Sequence, residues 1–322
     1  MTKQIRWGMI GCGAVTEVKS GPAYQHTAGF VLHAVTRRDT ALAEDYAKRH
    51  NVPLVFKTAD ELIASDEIDA VYIATPPDSH KALALKVAAA GKPCCIEKPL
   101  APTLAQSEAI LEAFTSKNIP LYVAYYRRSL PRFNKVKSLI DAGEIGQVRH
   151  VNWHLSKAAS EQDKSGEYNW RTDKAIAPGG YFDDLASHGL DLFGYLFGDY
   201  EHVKGLACNQ QSLYKAFDAI TACWQHKNGI TGSGSWNFGG FSRFDTVTVY
   251  GEKGEISFSV FDEQAISVIN ETGEIQYNIA NPAHIQQYHV ENMAAALLKN
   301  ITHPSTGHSA THTSWVMEQI LN

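Results

Sequence analysis

Short apolar runs alternate with amphipathic segments through the first 124 residues of the chain. The runs have the length of strands, and the segments between them have the length and spacing of helices. Strands that alternate with helices favour right-handed crossovers and therefore a parallel, doubly wound sheet. The predicted strands are 5–10, 30–36, 55–56, 70–74, 94–96 and 121–124, and the predicted helices are 41–50, 59–65, 79–90 and 103–117.

From about residue 148 the pattern changes to runs of period two that are separated by turns, such as the one at 227–229. Successive hairpins of this kind favour an antiparallel sheet with helices on one face. Segments 156–178 and 303–312 are interpreted as loops, and the first is long enough to suggest a role in binding. The predicted strands are 147–155, 202–210, 219–225, 231–237, 246–251, 254–260, 265–270 and 273–279.

The length of 322 residues favours two domains. We predict an α/β protein with a Rossmann domain at 1–124 and a second α/β domain, built on an open and mainly antiparallel sheet, at 125–322. The hydrophobic fraction of 44% and the charged fraction of 20% are typical of globular proteins. A net charge of −5 without a dense basic run argues against nucleic acid or an anionic membrane as a partner.

The five cysteines include no Cys-x-x-Cys pair, which argues against a zinc ribbon or a disulfide framework and favours a reducing compartment. The first strand begins a few residues after Met1, which leaves no room for a signal peptide. No apolar stretch approaches the roughly 20 residues that span a bilayer. These observations predict a cytoplasmic protein.

The turn after the first predicted strand carries Gly11 and Gly13. In a dinucleotide site the first glycine permits the tight turn, and the second lets the backbone approach the pyrophosphate. Ala14 and Val15 then open a helix whose N-terminus offers amide donors to that phosphate. Thr16 stands where a third glycine is usual, so we expect the helix and the strand to lie slightly further apart.

The end of the second predicted strand reads Thr36-Arg37-Arg38. NAD-specific sites usually carry Asp or Glu at this point to hold the ribose 2′-hydroxyl. A hydroxyl followed by two guanidiniums instead suits the 2′-phosphate of NADP. A surface pair of arginines is the alternative; we predict NADP as the preferred cofactor, with NAD possible.

The apolar run 94–96 ends at Glu97-Lys98-Pro99. A strand that ends there places an ammonium at the carboxyl edge of the sheet, where open α/β sheets bind their ligands. Proline restricts the backbone around Lys98, so the side chain is held in one direction.

Asp184, His188 and Asp191 recur at spacings of four and three, which places them on one helix face. A hydride leaves a carbinol carbon only as the hydroxyl proton departs, so oxidation needs a base such as imidazole. We predict Lys98, His188 and Asp184 as catalytic residues. No metal site is predicted, because no second ligand set lies nearby in the sequence. A structural hydrogen-bonding role for His188 is the alternative.

Together these motifs resemble the Gfo/Idh/MocA oxidoreductase family. The resemblance extends over nearly the whole chain, and its specific parts are the strand end 74–77 with His80 beyond it, the Glu97-Lys98-Pro99 step, and the segment 179–191. It implies a nucleotide-binding domain followed by an α/β domain with an open sheet. It also implies NAD(P)-linked redox chemistry on sugars, polyols or related alcohols and aldehydes, and subunit association through the free face of that sheet, as a homodimer or homotetramer.

The predicted cofactor-binding residues come from the strand ends and from the family motifs: Gly11, Gly13, Ala14, Val15, Thr36, Arg37, Arg38, Thr75, Pro76, His80, Glu97 and Lys98. The predicted substrate-binding residues come from the domain junction, the long loop and the helix: Arg127, Trp170, Arg171, Asp184 and His188. The predicted function is an NADP-preferring oxidoreductase for a sugar-like substrate. Two alternatives are a catalytically silent dinucleotide-binding sensor and a lyase or hydrolase that oxidises a glycoside transiently.

Overall fold

The computed structural model describes residues 4–322 of the chain. Its strands begin or end within a few residues of the predicted positions, because the alternation of apolar and polar residues marks them well. In chain order they are β1 (Ile5–Ile10), β2 (Phe30–Thr36), β3 (Leu54–Val55), β4 (Ala70–Ile73), β5 (Cys94–Ile96), β6 (Leu121–Val123), β7 (Val148–Ser156), β8 (Tyr200–Cys208), β9 (Ala219–His226), β10 (Thr231–Asn237), β11 (Phe244–Gly251), β12 (Gly254–Phe258), β13 (Ile266–Asn270) and β14 (Gly273–Tyr277).

The helices follow the predicted pattern in the first half of the chain. In chain order they are α1 (Ala14–Val18), α2 (Gly21–His26), α3 (Thr40–Arg49), α4 (Ala59–Ala64), α5 (His80–Ala89), α6 (Leu104–Thr115), α7 (Pro131–Asp141), α8 (Glu161–Ser165), α9 (Tyr181–Phe197), α10 (Gln287–Lys299) and α11 (Gly307–Leu321). Short 3-10 turns occupy Pro77–Ser79, Tyr126–Ser129 and Trp170–Thr172.

Two segments that the sequence predicts as loops contain helical structure. Within 156–178, the helix α8 forms because the Ser160 side chain accepts the N–H of Asp163 while the Asp163 carboxylate accepts the N–H of Ser160. This reciprocal cap satisfies donors that a short helix otherwise leaves open. The segment 303–312 is irregular only at its start, since α11 begins at Gly307.

The described chain separates into two compact units. The first extends to Ser129 and also contains Pro282–Thr311, and the second contains Leu130–Asn281 and His312–Asn322. The predicted domain boundary at residue 124 assigns all later residues to the second domain, whereas Pro282–Thr311 is part of the first unit. This segment belongs there because α10 packs against α2, and because Asn292 donates to the Ser129 hydroxyl at 3.0 Å.

The first unit is built on a six-stranded parallel sheet in the order β3-β2-β1-β4-β5-β6. This is the doubly wound Rossmann order, in which the carboxyl ends of the strands form the ligand edge. The central strands β4 and β5 are buried along their whole length, because apolar layers cover both faces of the sheet.

The second unit is built on an eight-stranded sheet in the order β14-β13-β12-β11-β7-β10-β9-β8. All neighbouring pairs are antiparallel except β7 and β10, which run parallel. The predicted architecture, a parallel Rossmann sheet with a second, mainly antiparallel sheet, is confirmed.

One face of the second sheet carries large aromatic side chains that pack against α9. Trp153 of β7 and Trp236 of β10 are fully buried, and the ring of Phe182 from α9 lies 5.1 Å from that of Trp236. A side chain at Gly189 would collide with the Trp153 ring, so the glycine lets α9 approach the sheet closely. The opposite face carries polar side chains such as Asn152 and Ser233, which hydrogen-bond to each other at 2.9 Å.

Within residues 4–322, none of the helices is both long and apolar enough to cross a bilayer.

Candidate functional site

The glycine turn joins three strand ends of the first unit. Gly11 has a φ of +92° and donates its N–H to the carbonyl of Thr36 at 2.9 Å. A β-carbon on Gly11 would lie 2.7 Å from Cγ2 of Thr75. Only glycine meets both requirements, and the result is that the ends of β1, β2 and β4 come together.

Gly13 faces open space. A β-carbon there would meet only the Gly11 carbonyl oxygen, at 3.9 Å. The hydroxyl of the buried Thr16 donates to the Gly13 carbonyl at 2.8 Å, so the residue in the place of the third glycine closes the turn locally. The space above Gly13 fits a pyrophosphate that approaches the backbone, as a Rossmann turn requires.

The end of β2 presents Arg37 to this turn. Its Nη1 donates to the carbonyl of Cys12 at 3.1 Å, whereas Arg38 is exposed. Thr36 is buried, and its carbonyl is what reaches the turn. Asp39 is the nearest carboxylate in sequence, and its Oδ1 accepts the N–H of Leu42 at 3.2 Å as the N-cap of α3. Arg37 is therefore the charged group at the end of β2 that contacts the glycine turn.

Glu97 and Lys98 follow β5 directly at the carboxyl edge of the sheet. Glu97 is buried, and its Oε1 accepts hydrogen bonds from the Tyr72 hydroxyl at 2.6 Å and from Nε2 of Gln286 at 2.8 Å. Its Oε2 accepts the backbone N–H of Lys98 at 3.2 Å. Lys98 is half-buried, and its peptide bond to Pro99 is cis.

His80 connects two of the family motifs. Its Nε2 lies 2.9 Å from the carbonyl oxygen of Thr75, and its Nδ1 lies 3.1 Å from that of Pro99. The side chain is fully buried, and burial lowers the pKa of His80. In this position His80 ties the strand end at Thr75 and Pro76 to the turn that carries Lys98.

The second unit places Asp184 and His188 one turn apart on α9, as the spacing predicts. Asp184 is half-buried and accepts a hydrogen bond from Nε of Arg171 at 2.6 Å. His188 is buried, with its ring 6.0 Å from that of Phe261 in an edge-to-face arrangement. Asp191 is fully buried, and its carboxylate accepts the Thr313 hydroxyl of α11 at 3.2 Å. This contact gives Asp191 a role in packing two helices together.

The long segment before α9 contributes two of the five predicted substrate-binding residues, Trp170 and Arg171. The Arg171 guanidinium lies 4.4 Å from the centre of the Trp170 ring, so stacking and the ion pair to Asp184 together orient it. The Lys157 ammonium lies 3.7 Å from the centre of the Tyr181 ring, and burial lowers the pKa of Lys157. Lys157 is a candidate substrate-binding residue that the sequence analysis did not identify. The signal in the sequence was its position directly after the strand β7.

Asp183 is a second group that the sequence did not single out. Its carboxylate is buried in the first turn of α9 and accepts the N–H of Gly179 at 2.8 Å. Burial, assisted by the neighbouring Asp184 carboxylate, raises the pKa of Asp183 to about 7. Deprotonation of this carboxyl near neutral pH therefore acts against the folded state.

The predicted site residues fall into two groups by unit. All the cofactor candidates lie in the first unit, where the ends of β1, β2, β4 and β5 gather them at one edge of the sheet. Arg127 is also in the first unit, buried in the turn Tyr126–Ser129 with its guanidinium 5.0 Å from the centre of the Tyr126 ring. The other substrate candidates, including Asp184 and His188, lie in the second unit. Across residues 4–322, no cluster of three His, Cys, Asp or Glu side chains is arranged to hold a metal ion.

Two family models match successive parts of the chain. Residues 5–125 match the model of an oxidoreductase family with an NAD-binding Rossmann fold, and residues 133–257 match that of the GFO/IDH/MocA C-terminal domain. The chain is 36% identical over 320 residues to Oxidoreductase P35 of Formosa agariphila, which covers 99% of this chain and 98% of that protein. It is 29% identical over 280 residues to inositol 2-dehydrogenase of Rhizobium meliloti, which covers 84% and 79%.

Among solved structures, the fold is similar to that of levoglucosan dehydrogenase in complex with NADH and levoglucosan. The TM-score is 0.88 at 22% identity, and the match covers 99% of this chain and 96% of that one. An oxidoreductase from Agrobacterium radiobacter in complex with NAD+, L-tartaric acid and magnesium gives a TM-score of 0.86 at 20% identity, with 99% and 95% covered. At these identities the likeness shows the fold.

The Rossmann turn, the strand order and the matched domains together define an NAD(P)-dependent oxidoreductase. Both domain models match in the expected order, and the chain belongs to the Gfo/Idh/MocA oxidoreductase family. The predictions of family, fold and enzyme class are confirmed.

Proposed function

We propose that the enzyme transfers a hydride between a nicotinamide cofactor and the carbinol or carbonyl carbon of a sugar, a polyol or a related alcohol. The observation that carries this proposal is the pair Asp184 and His188 on one face of α9, in a chain that also carries Lys98 at the ligand edge of its Rossmann unit. Two relatives bear names of this class, inositol 2-dehydrogenase and levoglucosan dehydrogenase, the latter 31% identical over 176 residues.

In the direction of oxidation, the C–H bond of the carbinol carbon breaks and its electron pair leaves as hydride, for which a bound nicotinamide would be the acceptor. The O–H bond of the same carbinol group breaks as well, and its electron pair forms the C=O bond. His188 takes the hydroxyl proton, and in the reverse direction it returns this proton to the carbonyl oxygen. Lys98 donates a hydrogen bond to the reacting oxygen, which polarises the carbonyl and positions it.

Asp184 orients the substrate or the imidazole. Its ion pair with Arg171, at 2.6 Å, restricts the carboxylate to one arrangement, so that its oxygens point in a defined direction. Arg171 is in turn stacked on Trp170. This support suits a group whose task is orientation rather than proton transfer.

We further propose that NADP(H) is preferred. Support comes from Arg37, which contacts the glycine turn at Cys12, and from Asp39, whose carboxylate caps α3. A guanidinium at the end of β2 suits a 2′-phosphate, whereas the carboxylate that would bind a ribose diol is used elsewhere. The two solved neighbours are complexes with NAD+ or NADH, so the preference depends on this chain's own residues.

The chemistry is tested by following nicotinamide absorbance with a panel of sugars, polyols and dicarbonyls and with each cofactor. For a substrate that turns over, His188→Ala and Lys98→Ala should each lower kcat by about 10²- to 10⁴-fold, because each removes a group that acts in proton transfer or oxygen polarisation. The cofactor affinity of His188→Ala should change little, because His188 is not among the predicted cofactor-binding residues.

His154→Ala and Lys81→Ala are matched controls that remove the same side-chain types from accessible positions. Both controls should keep the parental kcat. Turnover of the His188 and Lys98 variants within a few-fold of the parent would defeat the assignment.

A further inference from the structure

The carboxylate of Glu97 is held by donors from three separate parts of the first unit. Tyr72 lies in β4, Gln286 lies immediately before α10, and the third donor is the backbone N–H of Lys98. Glu97 is only 7% exposed, and each of these donors is neutral. A buried anion held in this way loses much of its stabilisation when one donor is removed.

Gln286 is anchored independently of Glu97. Its backbone N–H donates to the carbonyl of Lys19 at 3.2 Å, and the side chain is 1% exposed. The helix that follows it packs against α2. The amide group therefore reaches Glu97 from a fixed position, although the two residues are 189 apart in sequence.

Tyr72 is equally restricted. Its ring is fully buried and stacks on that of Tyr24 with a centroid distance of 5.0 Å. Its hydroxyl lies 3.1 Å from Oγ of Ser20, in addition to the 2.6 Å contact with Glu97. Both donors to Oε1 are therefore held in place, and with the Lys98 N–H on Oε2 they restrict the orientation of the carboxylate.

We propose that Gln286 and Tyr72 are positioning residues for Lys98. They hold the Glu97 carboxylate, whose second oxygen holds the Lys98 N–H, so that the reactive ammonium leaves the sheet edge in one direction. Gln286 belongs to the segment Pro282–Thr311, which is part of the first unit. This late segment of the chain therefore helps to orient the proposed catalytic lysine. This inference rests on the proposed function of Lys98.

The first test compares Tyr72→Phe and Gln286→Met with the matched controls Tyr24→Phe and Gln287→Met. The Tyr24 control removes a hydroxyl from the same aromatic stack without touching the carboxylate, and the Gln287 control changes the adjacent residue, whose amide donates to Glu291. The readout is the rate at which trinitrobenzenesulfonate modifies Lys98 in the cofactor-free enzyme. Peptide mass spectrometry follows the modification, with the other lysines as internal references.

Both test variants should change the modification rate of Lys98 by threefold or more, while the controls and the other lysines stay within twofold. With a substrate that turns over, kcat should fall roughly ten- to a hundredfold because the ammonium is misplaced, and the KM and the cofactor Kd should change much less. Lys98 modification rates within twofold of the parent in both variants would overturn the proposal.

A second variant, Gln286→Glu, keeps the inference testable if the others fold poorly. The new carboxyl places a second acidic group against Glu97 in place of the neutral amide donor. The Lys98 modification rate should therefore differ from the parental rate by threefold or more. A rate within twofold of the parental rate would overturn the proposal.

The modification rate separates this inference from the proposed function, since it needs no turnover. If Lys98→Ala keeps its activity while the positioning variants still alter Lys98 reactivity, the catalytic role fails and the positioning stands. If Lys98→Ala is inactive but Tyr72→Phe and Gln286→Met leave Lys98 reactivity unchanged, the catalytic role stands and the positioning fails.

Discussion

Gly13 and Gly11 lie two residues apart in the glycine turn, yet the structure predicts opposite consequences for their substitution. A β-carbon at Gly13 meets only the Gly11 carbonyl oxygen at 3.9 Å, and its backbone is extended, with a φ of −114°. Gly13→Val should therefore leave the cofactor-free fold intact. Valine is a poorer N-cap than glycine, which lowers the free energy of unfolding, but it makes the unfolded chain less flexible, which raises it. Each effect is about 0.4 to 1 kcal/mol, so they largely cancel.

The same valine occupies the space through which the pyrophosphate approaches the backbone. We expect the affinity for NADPH and NADH to fall by ten- to a hundredfold, which corresponds to about 1.4 to 2.7 kcal/mol of binding free energy. Gly11→Ala is the matched contrast. Its φ of +92° and the 2.7 Å approach to Thr75 should lower the free energy of unfolding, by about 2 to 4 kcal/mol.

Chemical unfolding of the cofactor-free proteins and fluorescence titration with NADPH measure the two quantities separately. Gly13→Val should unfold with the parental midpoint and bind cofactor weakly, and Gly11→Ala should unfold at a lower denaturant concentration. The reasoning is refuted if Gly13→Val binds NADPH within threefold of the parent, or if Gly11→Ala is as stable as the parent.

Three further predictions concern the cofactor, pH and association. Arg37→Ala should weaken NADPH binding while NADH binding stays the same, and Lys48→Ala is the control for the loss of a surface charge. If the parent binds NADH as tightly as NADPH, the proposed preference for NADPH is wrong. Because the pKa of Asp183 is raised from 3.8 to about 7, the folded state holds a proton that the unfolded chain releases, and the parent should lose stability as the pH rises through that range. Asp183→Asn should remove this loss, so that at pH 8 its free energy of unfolding exceeds that of the parent by up to roughly 1.4 kcal/mol for each unit of the pKa shift. Measurements of Tm against pH test this, and a variant with the same Tm profile as the parent would contradict it. Light scattering at micromolar concentration should give a homodimer or homotetramer formed through the polar face of the second sheet, and a monomer would contradict this.

The periodicity of the chain determined the strands of both sheets, the main helices of the first 124 residues and which sheet is parallel, but it missed α8 and the start of α11. Alternation of buried strands with helices leaves few topologies, and the right-handed crossover selects among them. Gly11 was also readable, since a tight turn between strand and helix requires a residue that tolerates a positive φ. These features depend on neighbours in sequence, so the local pattern carries them.

Tertiary structure decided the contacts between distant segments. The hydrogen bond from Gln286 to Glu97 joins residues 189 apart, and the hydrogen bond from Thr313 to Asp191 joins residues 122 apart. The parallel pairing of β7 with β10 interrupts a series of hairpins in the same way. A hydrophobic pattern shows which face of an element is buried but not which partner covers it, because many partners satisfy the same burial. The choice among them depends on side-chain packing and hydrogen bonding, which exist only in the folded molecule.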